Sequence, residues 1–286
     1  MRKSAIDVIK EKYSKLSKSH RRLADYCMAH YDQAAYLTAS RLGSAVGVSE
    51  PTVVRFASRL GYDGYPELQR ELCEYAKTRL TSIQRINVST HLASDGESEM
   101  LSRVMTLDAE SVRQTLRGID PQQFAHVVDA ILKARTIYII GARSAYALAS
   151  FLDCNLSIIF PSVRLVNDRT ASGVFEQLFA VGPEDVVFGI SFPRYAQSTA
   201  KALSFAHRRG ATVISLTDAD HSPLVPFSTY ALYARSDIIS YYDSLVAPLS
   251  VINAILAEIS LRRKDEVAKV LEGVEEIYRE NEIYGN

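Results

Sequence analysis

The run ASRLGSAVGVSEPTVVRFASRL, residues 39–60, decides the interpretation of the first third of the chain. Leu42 and Val46 share one face of a short helix, and Gly47 predicts a turn after it. The buried face of a second helix is predicted from apolar residues at helical spacing, namely Val53, Phe56, Ala57 and Leu60. Two short helices joined by a glycine turn are typical of a helix-turn-helix, whose second helix enters the major groove of DNA.

The second helix is expected to carry DNA-reading groups on its other face. Ser49 is predicted to cap this helix, with Pro51 in its first turn and Gly61 at its end. At about 100° per residue, the outward face collects hydroxyl and guanidinium groups, which read base edges. A plain helical hairpin with a solvated face is the alternative. The predicted DNA contacts are Ser49, Thr52, Arg55, Ser58 and Arg59.

The same region resembles the N-terminal domain of the RpiR/MurR family of bacterial regulators. The string SEPTVVRF, Ser49–Phe56, followed by LGYDGY, Leu60–Tyr65, carries the resemblance. It covers about 80 residues when the preceding helices are included, and it implies that Ser49, Thr52 and Arg55 contact DNA, with Arg59 nearby. Further cations that we expect at DNA phosphates are Lys18, Arg21, Arg22 and Arg41.

Length and charge favour two domains of different character. The chain has 286 residues, enough for about two domains. Residues 1–85 carry 15 Lys and Arg against 9 Asp and Glu, whereas residues 86–286 carry 18 against 24. A basic head on an acidic remainder suggests a polyanion-binding domain fused to a soluble sensor or enzyme. We predict a DNA-binding domain over 1–85, a linker and connecting helix over 86–120, and an effector-binding and dimerisation domain over 121–286.

From Thr136 onward, short β-rich runs alternate with helices. Continuous apolar strands separated by helices imply a parallel sheet that is covered on both faces. The fold class expected is therefore an all-α helix-turn-helix domain followed by an α/β domain with a five-stranded parallel sheet. Asp243 is expected to cap a long helix that closes this domain. The predicted strands are residues 136–140, 163–167, 185–190, 212–217 and 229–234.

Three strand-to-helix loops are expected to form an anion-binding crevice. The turn in IIGARSAY, residues 139–146, aims backbone N–H groups and a helix N-terminus at an anion. All three loops follow the carboxyl ends of strands, where open α/β sheets bind ligands. Their hydroxyls and two arginines suit a phosphorylated or otherwise anionic metabolite. The predicted effector-binding residues are Gly141, Arg143, Ser144, Ser191, Arg194, Ser198, Thr199, Thr217 and Asp218.

Residues 136–262 resemble, loop by loop, a SIS (sugar isomerase) domain, the effector module of RpiR/MurR regulators. Many SIS domains carry Gly-x-Gly-x-Ser in the first loop, where this chain has GARSA, residues 141–145. Many also carry Ser-x-Ser-Gly-x-Thr in the second loop, where this chain has SFPRY, residues 191–195. The resemblance implies a sugar-phosphate ligand. The two added arginines favour the broader class of anionic small molecules.

We predict no catalytic residue, no cofactor and no metal site. Glu176 and His221 are the candidates for an isomerase base and acid, although a lone Glu or His near a loop is usually structural. No apolar run reaches the roughly 18 residues of a membrane span. The N-terminus shows no apolar signal segment. We therefore expect a cytoplasmic protein without a membrane partner.

The hypothesis that combines these features is a homodimer or homotetramer that binds double-stranded DNA and a small anionic metabolite. Metabolite binding in the SIS-like domains would change the spacing of the DNA-reading helices. Two other functions stay open from sequence. One is an aldose–ketose isomerase of sugar phosphates with a helical appendage, and the other is an architectural DNA-binding protein whose second domain only oligomerises.

Overall fold

The computed structural model describes residues 3–92, 100–167 and 170–282. The chain forms two compact units. The first consists of Met1–Ser102 with Ile238–Asp243, and the second of Arg103–Asp237 with Ser244–Asn286. No helix in the described ranges is long and apolar enough to cross a bilayer.

The first unit is helical. Its helices are α1 Ala5–Lys12, α2 Lys18–Ala29, α3 Tyr31–Ala34, α4 Ala39–Val46, α5 Glu50–Leu60, α6 Tyr65–Arg79 and α7 Ser82–Leu92. They pack around one apolar core in which Leu23, Phe56 and Leu68 are fully buried. Residues 86–92, the start of the expected linker, are helical and belong to α7. Residues 93–99 of that linker lie outside the described residues.

Glycines in the left-handed conformation end both helices of the predicted motif. Gly47, with φ of 71°, follows α4, and Gly61, with φ of 92°, follows α5. This conformation costs glycine little because it has no Cβ. Ser49 occupies the N-cap position of α5 as predicted, but its hydroxyl makes no capping bond to the backbone. That hydroxyl lies instead 2.9 Å from the Thr52 hydroxyl.

A buried ion pair joins two distant segments of the first unit. Arg85 of α7 is 1% exposed, and its guanidinium donates to the Asp243 carboxylate at 2.7 Å and to the Lys77 carbonyl oxygen at 2.7 Å. The predicted role of Asp243 as a helix cap is therefore wrong. The long helix begins at Val246, and the carboxylate of Asp243 pairs with a cation that lies 158 positions away in sequence.

The second unit contains a five-stranded parallel sheet, which confirms the predicted fold class. Its strands are β1 Ile137–Gly141, β2 Val163–Val166, β3 Val186–Ile190, β4 Thr212–Thr217 and β5 Tyr230–Tyr233. The strand order is β2-β1-β3-β4-β5. The helices are α8 Met100–Gly118, which begins in the first unit, and then α9 Pro121–Lys133, α10 Ala145–Ile159, α11 Ala171–Gln177, α12 Gln197–Arg208, α13 Val246–Arg262 and α14 Lys264–Glu280.

Helices cover both faces of the sheet. Along β1, Ile137 and Ile139 point into one apolar cluster, which α9, α10 and α13 complete. Tyr138 and Ile140 point into the other cluster, which α12 helps to complete. Burial on both faces explains why the strands are continuous apolar runs rather than alternating ones. It also leaves the ends of the strands, and not their faces, for a ligand.

Loss of the buried ion pair should destabilise the first unit. Arg85→Met leaves the Asp243 carboxylate without its cation, so we expect the free energy of unfolding to fall by about 3 kcal/mol. Arg113→Met removes an exposed pair with Glu110 and should cost under about 0.5 kcal/mol. Urea unfolding followed by circular dichroism measures both. Equal losses for the two variants would contradict the structural role of Arg85.

Candidate DNA-binding face and effector crevice

Helix α5 has one buried and one exposed face, as its sequence predicts. Val53, Phe56 and Ala57 are 0% exposed and Leu60 is 3% exposed. Burial of the Phe56 side chain alone contributes about 1.5–3 kcal/mol, so the rotation of α5 about its axis is strongly fixed. The residues predicted to contact DNA lie on the other face. Of these, Thr52 is half-buried, and the exposed ones are Ser49, Arg55, Ser58 and Arg59.

A line of polar groups runs along the exposed face of α5. The hydroxyls of Ser49 and Thr52 are 2.9 Å apart, and Arg55 donates to the Thr52 hydroxyl at 3.2 Å. The spacing of three residues places these groups one above another on the helix. Each holds its neighbour in place, and the guanidinium and hydroxyls stay open to a partner in the groove. This arrangement is able to bind base edges and phosphates.

Two cations near the motif bind helix ends. Lys12 donates to the Leu60 carbonyl oxygen at 2.8 Å, at the C-terminus of α5. Arg22, one of the expected phosphate contacts, donates to the carbonyl oxygen of Val46 at the C-terminus of α4. Cations favour these sites because the helix dipole is negative there. The other expected phosphate contacts, Lys18, Arg21 and Arg41, are exposed.

The three predicted ligand loops lie side by side at one edge of the sheet. Gly141 is paired in register with Ile190, and Ile190 is paired with Leu216. The loops that follow β1, β3 and β4 therefore leave neighbouring strands. In the order β2-β1-β3-β4-β5, the chain switches direction between β1 and β3. Open α/β sheets bind ligands at this switch point, outside the carboxyl ends of the strands.

Two arginines flank the switch point, and both have a left-handed backbone conformation that residues other than glycine rarely adopt. Arg143 has φ of 57° and Arg194 has φ of 68°. Among the described residues other than glycine, only Glu282 shares a positive φ with them. For a residue with a Cβ, this conformation costs of order 1 kcal/mol. Such strain is concentrated at functional sites, and here it falls on the two arginines that interrupt the SIS-like loop sequences.

The effector residues predicted from sequence fall into two layers. Arg143, Ser144 and Arg194 are exposed, and Ser198 and Asp218 are half-buried. The residues beneath the surface are Gly141, Ser191, Thr199 and Thr217.

The buried members support the loops. The hydroxyl of Ser191 accepts from the Ala196 amide at 3.1 Å, and that of Thr217 donates to the Ser222 hydroxyl at 2.8 Å. The fully buried Thr199 hydroxyl has no partner in the part of the chain that the structure describes. A Cβ on Gly141 would lie 2.5 Å from the Ala145 carbonyl oxygen, so glycine is required where α10 begins.

Tyr195 links two loops of the crevice, and sequence reasoning missed it. Its hydroxyl donates to the Asp218 carboxylate at 2.8 Å, while the Thr217 hydroxyl lies 3.2 Å from the same oxygen. Asp218 therefore ties the loop after β3 to the loop after β4. Nothing in the spacing of Tyr195 indicates this bond, which depends on the adjacency of two strands.

The sequence also allows a structural role for Arg143 and Arg194, in which each arginine pairs with a local acid such as Asp168, Glu176 or Asp218. Within the described residues, Arg143 forms no ion pair with Glu176 or Asp218. Asp168, the third acid considered for this pairing, lies outside the described residues.

Glu176 and His221 come from separate parts of the sheet edge. Glu176 is exposed on α11, which follows β2, and His221 is exposed in the loop after β4. Because β1 and β3 lie between β2 and β4, the two strands are about 14 Å apart. The nitrogen of His221 lies 3.8 Å from Asp220, its neighbour in sequence. Glu176 and His221 thus follow strands that are not neighbours in the sheet.

A helix-turn-helix with an exposed polar recognition face, followed by an α/β sensor domain, defines a DNA-binding transcription regulator. Comparison with known proteins gives the same class. Residues 4–79 match the helix-turn-helix domain of the rpiR family, and residues 130–258 match the SIS domain.

Regulators and SIS domains are among the similar proteins. The HTH-type transcriptional regulator HexR of Pseudomonas aeruginosa is 26% identical over 270 residues, 91% of this chain and 90% of HexR. The sugar isomerase domain of an RpiR transcription factor from Sphaerobacter thermophilus is 28% identical, with a TM-score of 0.60 over 62% of this chain and 99% of that one. The NanR protein of Vibrio vulnificus, complexed with ManNAc-6P, is 21% identical, with a TM-score of 0.58 over 96% of this chain and 98% of NanR. The chain therefore carries the helix-turn-helix domain of the rpiR family and a SIS domain, the combination that its sequence motifs predicted.

Substitutions on the DNA-binding face should separate base reading from phosphate binding. Arg55→Ala should weaken binding to the cognate duplex by about 1–3 kcal/mol and relax base preference. Lys18→Ala should weaken all duplexes alike and reduce the salt dependence of binding. Fluorescence anisotropy with DNA from upstream of the gene and with a scrambled duplex measures both effects. Unchanged discrimination in Arg55→Ala would rule out the reading role of Arg55.

Proposed function

We propose that this regulator responds to a small anionic metabolite bound at the switch point between β1 and β3. The observation that carries the proposal is the pair of strained arginines. A guanidinium offers a planar fork of donors that matches a carboxylate or a phosphate, and its charge persists at any physiological pH. Backbone strain at both positions is understandable if the side chains gain a ligand there.

The metabolite class that fits the crevice is a phosphorylated sugar or a sugar acid. The NanR structure, whose fold this chain shares, is a complex with the sugar phosphate ManNAc-6P. In this chain Arg143, Ser144 and Arg194 would hold the anionic group, and Ser198 and Asp218 would reach sugar hydroxyls. The buried Ser191, Thr199 and Thr217 would hold the loops in shape. We propose that the chain acts in the cytoplasm and uses this ligand to regulate a carbohydrate or sugar-acid catabolic operon.

Self-association is the second part of the proposal. Helix α8 exposes large apolar side chains, with Leu101 72%, Met105 63% and Leu116 76% exposed. Met105 follows Leu101 by four positions and Leu116 follows Met105 by eleven, so the three share one side of α8. Exposed apolar patches mark interaction surfaces. A homodimer or homotetramer would present two recognition helices to two half-sites of an operator. A metabolite would then act by changing the spacing of those helices.

We also propose that the chain has no isomerase activity. HexR, which aligns with 91% of this chain, is named a transcriptional regulator, and Glu176 and His221 follow strands that are not neighbours in the sheet. An aldose–ketose isomerase needs a base and an acid within reach of the same substrate.

Substitution of Arg194 should weaken metabolite binding. Arg194→Gly and Arg194→Ala should each weaken binding of the metabolite that shifts DNA affinity about tenfold to a hundredfold, because a charged hydrogen bond worth about 1.5–3 kcal/mol is lost. Only the glycine variant should also unfold at a higher urea concentration, because glycine relieves about 1 kcal/mol of backbone strain. Isothermal calorimetry and urea unfolding measure the two effects.

Arg208→Ala is the matched control for this experiment. It removes an exposed arginine at the opposite end of α12, about 16 Å away. Its metabolite affinity should equal that of the unmodified chain. Wild-type affinity in both Arg194 variants would show that this arginine is not a ligand.

Hexose and pentose phosphates should not be interconverted by the purified chain. Turnover of about 1 per second or faster, abolished by Glu176→Gln, would instead establish an enzyme. Chromatographic analysis of the sugars after incubation decides between the two results.

A further inference from the structure

His20 lies beside the candidate DNA-binding face, although no sequence motif points to it. It belongs to the first turn of α2, where its amide donates to the Ser17 side chain. Its half-buried ring packs on Phe56 of α5, with 5.7 Å between ring centroids and 57° between ring planes. Phe56 is the fully buried residue that fixes the rotation of α5. The imidazole is therefore held at a set position against the recognition helix.

The charged groups that act on His20 are the arginines of the predicted DNA face. Burial of the ring lowers the pKa of His20 below its ordinary value of 6.5, and the positive charges of Arg55 and Arg59 lower it further. Helix α2 also carries two exposed cations, Lys18 and Arg22, and Arg22 donates to the Val46 carbonyl oxygen. Asp25 accepts from the Tyr13 hydroxyl at 2.7 Å, and Arg21 donates to the Ser14 carbonyl oxygen at 3.0 Å.

We propose that His20 is an additional phosphate-binding residue of the DNA-binding face, and that it takes up a proton when the chain binds DNA. The inference rests on the DNA contacts proposed for α5. Arg55 precedes Phe56 by one position and Arg59 follows it by three, so a phosphate drawn to these arginines comes close to the ring that packs on Phe56. The negative charge of the phosphate offsets the positive charges of the two arginines. A protonated imidazole donates a charge-assisted hydrogen bond to the phosphate, whereas a neutral imidazole donates a weaker hydrogen bond.

Proton uptake makes DNA affinity depend on pH in a defined direction. The pKa of His20 is lowered in the free chain and rises on the complex. Above the pKa in the complex both states are neutral, and affinity is at its minimum. As pH falls through the interval between the two pKa values, only the complex is protonated, and affinity increases. Below the pKa in the free chain both states are protonated and the gain is complete, at about tenfold for each unit between the two values.

The test measures affinity of the full-length chain for its upstream duplex from pH 5.5 to 8 at fixed ionic strength. The unmodified chain should bind more tightly as pH falls, and His20→Gln should lose most of this dependence. His20→Arg, which carries a permanent charge, should bind tightly across the whole range. Circular dichroism confirms that each variant is folded. His30→Gln alters an exposed histidine at the other end of α2 and should keep the pH dependence of the unmodified chain.

Salt dependence supplies a second readout that a purely structural role of His20 would not change. The slope of log affinity against log salt should be steeper by about 0.9 at pH 5.5 than at pH 8 in the unmodified chain, because one more phosphate is neutralised. His20→Gln should show equal slopes at the two pH values.

The outcomes distinguish this inference from the proposed DNA face. If Arg55→Ala weakens cognate binding while His20→Gln keeps the pH profile of the unmodified chain, His20 is not a phosphate-binding residue and the DNA face stands. If Arg55→Ala has no effect either, the DNA face itself is wrong. Loss of the pH and salt effects in His20→Gln alone supports the proposal.

Discussion

Burial of Phe56 and its neighbours on α5 is the interaction on which the DNA-binding account depends. A helix presents a given set of side chains to a groove only if its rotation about its own axis is fixed. Here the apolar face of α5 is fully sequestered in the core of the first unit. The same packing turns Arg55 and the hydroxyls outward and brings the His20 ring against the helix. Stability and DNA recognition therefore depend on one set of contacts.

The sensor unit depends on a comparable constraint. Its sheet is covered on both faces, so a ligand has access only at the strand ends. The chain changes direction between β1 and β3, and Arg143 and Arg194 stand in the loops that follow these two strands. Glycine would be the relaxed residue at both positions. The metabolite site that we propose accounts for strained backbone at both positions, because binding sites often keep strained residues at a cost in stability.

Much of the secondary structure was predictable from local sequence signals. The helix-turn-helix, the five strands and the loop positions follow from periodicity, glycine turns and caps, because these depend on neighbours in sequence. Contacts between distant segments were not predictable. The pairing of Arg85 with Asp243, the bond from Tyr195 to Asp218 and the packing of His20 on Phe56 all depend on which elements become neighbours in the fold. The same limit explains why Asp243 was taken for a helix cap: its local context favours a cap, but a buried arginine competes for the carboxylate.

We propose that this one chain couples DNA binding to metabolite binding. Coupling of this kind is reciprocal, so the most direct measurement is metabolite affinity in the free chain and in the chain saturated with operator DNA. Calorimetry on the two samples should give affinities that differ by about 5–150-fold, and the metabolite should change DNA affinity by the same factor. Identical metabolite affinities with and without operator DNA would contradict the account.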